Sequence, residues 1–186
     1  MPKNPRNFII SDLHLDHANI IKHCERPFEN VRDMNSVIIS RWNQSVGKHD
    51  VVYVVGDFAW FRDTSYRIRE LIRELNGVKI FIWGNHDKNL KCKIPYLTLN
   101  YNGESILLVH TADPEATHNK VTLAHTGICE ILNEWKKSSN WIICGHHHNN
   151  QPEEHGLINR KTHEFNVSTE LLDYTPIEIE KLLTMR

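Results

Sequence analysis

The stretch "DVVYVVGD", residues 50–57, is β-branched and apolar on both alternating faces and stops abruptly at Gly56-Asp57. A run that short with no polar side reads as a strand buried on both faces of a sheet. The same pattern recurs on either side of it, in "RNFIIS" (6–11), "VKIFIWGN" (78–85), "SILLVH" (105–110) and "NWIICGH" (140–146). Between these runs the period changes. Met34, Val37, Ile38 and Trp42, then Ile68, Leu71, Ile72 and Leu75, then Ile128, Ile131, Leu132 and Trp135 recur near i, i+3, i+4, i+7, the spacing of one helix face. Asn76-Gly77 supplies a stop for the second helix. Thr175 and Glu178 fit a capping box, with Pro176 in the first turn of a closing helix over "TPIEIEKLL" (175–183). The runs 96–110 and 156–168 read as adjacent strands of hairpin type. Alternating strands and helices predict a layered α/β sandwich with a largely buried sheet. At 186 residues, without repeats or linkers, one domain over 1–186 is expected.

Composition narrows the class. With 40% hydrophobic and 24% charged residues and a net charge of -1, the chain has a globular balance and no basic excess of the kind that marks a nucleic-acid footprint. No apolar run approaches the ~18 residues of a membrane span. "MPKNPRNFII" lacks the apolar core of a signal peptide, so the expected location is the cytoplasm and no membrane partner is expected. Cys24, Cys92, Cys129 and Cys144 stand singly, with no C-x2-C pair. Thirteen histidines against four cysteines turn any metal hypothesis toward nitrogen and oxygen ligands.

The five apolar runs all finish in residues of that kind: "IISDLHLDH" at 12, 14 and 17, "VVGD" at 57, "WGNHD" at 85–87, "LLVH" at 110 and "CGHHH" at 146–148. Singly, "DLH" and "GD" are ordinary turn chemistry and a strand-end histidine is more often a packed one. Together they form a pattern, because in open α/β sheets the carboxyl ends of strands are where ligands bind and where distant side chains converge.

Asp12-x-His14, Gly56-Asp57, Gly84-Asn85-His86-Asp87, His110 and Gly145-His146-x-His148 resemble, in order, the motif series of the calcineurin-like metallophosphoesterases. The resemblance spans nearly the whole chain. It implies a four-layer α/β/β/α sandwich with two mixed sheets and two divalent metal ions at the strand ends. One ion would be held by Asp12, His14, Asp57 and His148, the other by Asp57, Asn85, His110 and His146, with Asp57 bridging. A shared carboxylate suits ions about 3.5–4 Å apart, since it offsets their repulsion and sets their spacing. Two carboxylates against two dications leave a surplus positive charge for an anionic phosphate. Imidazole and carboxylate ligands suit manganese, placed first, or iron, zinc or nickel.

The implied activity is phosphate-ester hydrolysis by metal-activated water, with phosphodiesters, including nucleotides or other small diesters, favoured over monoesters. The resemblance assigns His86 the role of general acid or phosphate contact, with Asp87 a candidate for orienting its ring. His17 is a candidate phosphate contact, or a solvent-facing histidine that opens a helix. His110, closing an apolar strand, is preferred to His125 for the fourth motif. Trp60 stands where many relatives carry Asp or Arg, which bears on substrate contacts and not on the metals. Arg160, Lys161, Lys88 and Lys91 are candidates for holding a distal group. In an extended segment His146 and His148 would share a face, with His147 turned away as a spacer. Two other classes remain open: a dinuclear hydrolase of carbon-nitrogen bonds, and a non-enzymatic metal-binding scaffold. The oligomeric state is open, a homo-oligomer included.

Overall fold

The computed structural model describes residues 4–60, 65–88, 90–113 and 127–186. Along the chain come β1 (Asn7–Ile10), α1 (Ala18–His23), α2 (Val31–Ser45), β2 (Val51–Val55), α3 (Ser65–Glu74), β3 (Val78–Ile82), β4 (Lys93–Ile94), β5 (Leu97–Tyr101) and β6 (Glu104–Leu108). There follow α4 (Ile128–Lys136), β7 (Trp141–Cys144), α5 (Pro152–His155), β8 (Ile158–Asn159), β9 (Glu164–Asn166), a 3-10 turn (Thr169–Leu172), β10 (Ile177–Glu178) and α6 (Ile179–Leu183). Two five-stranded sheets form, in the orders β10-β1-β2-β3-β4 and β5-β6-β7-β9-β8. Both are mixed. In the first, β1 to β4 run parallel and β10 antiparallel. In the second, β6, β7 and β9 run parallel between the antiparallel hairpin partners β5 and β8.

The two-residue alternation of the strands sorts their side chains into layers. Phe8, Ile10, Val52, Val54 and Phe81 face outward from the first sheet and are buried against Ile20, Met34, Ile38, Trp42, Ile68 and Leu71 of α1, α2 and α3. Their neighbours Ile9, Val55 and Ile82 face the other way and meet Ile106, Leu108, Ile143 and Phe165 of the second sheet, with Ile179 and Leu182 of α6. Leu107, Ile142 and Cys144, on the far face of that sheet, pack on Ile128 and Leu132 of α4. The order is helices, sheet, sheet, helix, the expected four-layer α/β/β/α sandwich. The inner strands β1, β2, β6 and β7 are largely apolar on both faces because each sheet is covered on both.

The helix ends have local causes. Asn30 caps α2, its side-chain oxygen accepting from the N–H groups of Arg32 and Asp33, both at 3.0 Å. Gly77, at φ 81, turns the chain after α3, and a Cβ there would crowd the Asp50 carbonyl. The expected capping box at Thr175 and Glu178 does not form. Residues 177–178 are taken by β10, pairing Ile9 with Ile177 and Phe8 with Glu178, so the last helix begins only at Ile179. The Thr175 hydroxyl donates instead to the Asp173 carbonyl at 3.0 Å.

Candidate metal centre

The loops that leave β1, β2, β3, β6 and β7 converge, and backbone hydrogen bonds tie the β1 loop to the β2 loop and the β6 loop to the β7 loop. Asp12 N donates to Gly56 O at 3.0 Å, His14 N to Asp57 O at 2.9 Å, and Gly145 N to His110 O at 2.9 Å. Asp12, His14, Asp57, His146 and His148 all sit at positive φ, between 49 and 74°. Left-handed backbone at a residue other than glycine costs of order 1–3 kcal/mol and persists where surrounding contacts hold it, commonly at functional sites. Three glycines make room. A Cβ at Gly84 would overlap Asp57, one at Gly145 would overlap Asp12 and Ser11, and one at Gly56 would overlap the His110 ring.

At the centre stands Asp57. Its Oδ2 lies 3.5 Å from His14 Nε2, 3.4 Å from His110 Nε2 and 3.9 Å from His86 Nε2. Its Oδ1 accepts from His86 N at 2.9 Å. Asn85 Oδ1 is 3.1 Å from His110 Nε2. Asp12 presents Oδ1 at 3.9 Å from His14 Nε2 and 3.7 Å from His148 Nε2. Its Oδ2 accepts from Ser11 Oγ, Ser168 Oγ and His146 N. The His146 ring meets His110 edge to face at 5.1 Å.

Asp12 Oδ1 and His14 Nε2 are buried polar atoms with no hydrogen-bond partner. Such atoms are costly and call for an explanation, an ion among them. The rings are also set for ligation. His110 Nδ1 is 3.0 Å from the Val55 carbonyl and His148 Nδ1 is 3.0 Å from Glu170 Oε1, acceptors that can only receive. Each therefore draws the hydrogen to Nδ1 and turns Nε2 inward. Asp12, His14 and His148 form one group able to hold an ion, and Asp12, Asp57 and His110 another, with the donor atoms of each within 4.8 Å. The donor set of carboxylate oxygens, imidazole nitrogens and one amide oxygen fits divalent transition metals.

The charges are strongly perturbed. Burial opposes ionisation of Asp57, yet the adjacent His110 and His14 hold its carboxyl well below the usual carboxylate range. Burial alone would lower His110 and His148, but Asp57 raises the first to about 10 and Asp12, with Cys24 and Glu170, raises the second to about 11. Burial lowers His14, His86, His17 and His146, the last two to about 4.

Other candidates fall differently. Asp87 does not meet the His86 ring: its buried carboxylate accepts from Asp57 N (2.8 Å), Phe58 N (2.9 Å) and Gly84 N (3.0 Å), pinning two motif loops together. His86 instead faces Trp60 and His14, with ring centroids at 4.9 and 5.1 Å, and its side chain is 31% exposed. His17 precedes α1 and stacks on Trp60, 4.7 Å apart and inclined 14°. Residues 145–150 form a turn, not an extended strand, with His146 and His148 at φ 74 and 52°. That turn, and not strand alternation, separates the histidines, and His147 stacks on His155 at 3.6 Å. Arg160 donates to the Met185 carbonyl, Lys161, Lys88 and Lys91 are exposed, and His125 lies outside the described residues.

Sequence reasoning missed Ser168, Arg26 and Glu170. "FNVSTE" (165–170) is a further apolar run ending in polar residues, a signal that could have flagged Ser168 and Glu170. Nothing local marks Arg26.

Residues 6–176 match the family model described as calcineurin-like phosphoesterase. The chain is 37% identical over 178 residues to an uncharacterized protein of Methanocaldococcus jannaschii, covering 96% of this chain and 89% of that one. It is similar in structure to a protein of unknown function from Aquifex aeolicus, with a TM-score of 0.73 and 25% identity over 98% of this chain and all of that one. With a family model spanning nearly its whole length and the fold and strand-end site to match, this chain belongs to the calcineurin-like phosphoesterase family.

Proposed function

We propose that the chain is a dinuclear metal-dependent phosphoesterase that favours phosphodiesters over monoesters. The observation that carries this is Asp57 Oδ2 standing between His14 Nε2 (3.5 Å) and His110 Nε2 (3.4 Å), beside buried polar atoms that lack partners. In this reading Asp12, His14 and His148 hold one ion, Asn85, His110 and His146 the other, and Asp57 both. Bound divalent ions, manganese first among them, would supply positive charge for the phosphate oxygens and a nucleophilic water at neutral pH.

The chain's own residues do the rest. His86 is partly exposed beside Asp57, and its ring would carry the proton that the leaving oxygen requires. Burial lowers its pKa, while Asp57 pulls the other way. An anionic phosphate beside the ring adds to that upward pull. His17 and Trp60 lie beside His86, where they would border a bound phosphate. Asp87 holds the Asp57 and Gly84 backbones in place.

The test is hydrolysis of an aryl phosphodiester, an aryl phosphomonoester and an aryl amide by chelator-stripped protein before and after manganese is returned. The diester should turn over fastest, only with metal, and the amide should stay intact. Undiminished diester turnover by fully stripped protein overturns the proposal.

A further inference from the structure

Behind His148 lies a buried ion pair that none of the family motifs includes. Glu170 Oε1 stands 3.0 Å from His148 Nδ1 and accepts from Arg26 Nε at 2.8 Å, with Arg26 Nη2 at 2.7 Å. Arg26 Nη2 also donates to the Asp12 carbonyl at 2.7 Å and Nη1 to the Leu13 carbonyl at 2.9 Å. Both side chains are inside the protein, Arg26 at 0% and Glu170 at 4% exposure. One pair thus grips two things at once: the backbone between Asp12 and His14, and the ring of His148. Because a carboxylate only accepts, the His148 hydrogen belongs on Nδ1, and Nε2 faces Asp12 Oδ1 at 3.7 Å.

Cys24 brings its sulfur within 4.8 Å of the same His148 and Glu170 atoms, so Cys24, His148 and Glu170 could be mistaken for an ion site of their own. The Arg26 guanidinium, 2.7 Å from Glu170 Oε1, already supplies the positive charge there and would repel a cation. We propose that Glu170, braced by Arg26, is a positioning residue that orients His148 and sets the affinity of the ion held by Asp12, His14 and His148. The inference rests on these strand ends being a metal centre. Carboxylates that orient ligating histidines change metal affinity by about 10–100-fold when removed.

The experiment uses the full chain and zinc alone, titrated against a competing chelator, with the imidazole nitrogens followed by NMR. Wild-type protein should take up two ions and show a hydrogen-bonded His148 Nδ1–H. Glu170→Gln should weaken one of the two ions by about 10–100-fold, leave the other unchanged and shift the His148 Nδ1–H signal. The double variant Arg26→Met, Glu170→Gln, which strands no buried charge, should show the same selective loosening and guards against a folding defect in the single variant. Equal weakening of both ions, or unchanged affinity with an unchanged His148 signal, overturns the inference alone. Wild-type protein that takes up no zinc overturns the metal centre and the inference with it.

Discussion

Asp12, His14, Asp57, His146 and His148 hold left-handed backbones that each cost of order 1–3 kcal/mol, so neighbouring contacts must hold each ring and carboxylate in place. Single substitutions here should therefore separate by role. His146→Ala and His148→Ala should each lose an ion and most of the activity. His147→Ala removes a ring stacked on His155 and should keep full metal content and activity within about one order of magnitude. Metal counting beside turnover decides it, and a His147→Ala protein stripped of metal would contradict the geometry. Asp57→Asn should lower occupancy of both ions, whereas His86→Gln should keep them and slow turnover by roughly 10²-fold or more. Asp57 and Asp12 raise His110 to about 10 and His148 to about 11 in the metal-free protein, against the opposing effect of burial. Both rings are then protonated at neutral pH, and an ion must displace those protons. Affinity should rise with pH between 6 and 8 by about tenfold per unit for each proton released. Calorimetry in buffers of different ionisation enthalpy measures the release, and a flat affinity would refute it.

At the scale of elements, the loops after β2 and β3 are held as one unit by a carboxylate rather than by a ladder. Asp87 satisfies three backbone N–H groups, of Asp57, Phe58 and Gly84. Burial, and then the charge of Asp57, raises its pKa to about 7, while its bonds from the Gly84 and Phe58 backbones oppose the rise. Leaving a buried donor without a partner costs about 1–3 kcal/mol. Asp87→Ala should therefore destabilise the protein by at least about 2 kcal/mol in chemical denaturation and weaken metal retention through Asp57, although it touches no ion. Stability within about 0.5 kcal/mol of wild type would show that the loops hold without it. Arg26 and Glu170 do for the β1 loop and the 3-10 turn what Asp87 does for β2 and β3.

For the whole molecule, the site lies where two sheets, each covered by helices, bring their strand ends together, and any ion bound there would couple to the fold. Ion binding at a hundred times its dissociation constant stabilises the native state by about 2.7 kcal/mol, which for a chain of this size raises the melting temperature by about 5–10 °C per ion. A thermal scan with chelator and with added manganese checks this; identical curves would mean the ions do not bind the folded state. Much of this architecture could be read from the chain in advance. Runs such as 50–57 and 140–146 are apolar on both faces because their sheets are covered on both, and that pattern is local, as are the helix periods of α2, α3 and α4. The polar endings at 12, 57, 85, 110 and 146–148 are local as well. In the closing segment Thr175 to Glu178 satisfies a capping pattern by itself, while pairing with β1, some 170 residues away, decides its conformation. His147 turns away for a non-local reason: the backbone of 146–148 is set by Asp12 accepting from His146 N and Glu170 meeting His148 Nδ1. Which side chains are apolar, and at what period, is written in consecutive residues and needs no fold to be read. Which carboxylate meets which ring depends on contacts between residues 22 to 136 positions apart, and those exist only once both sheets have packed.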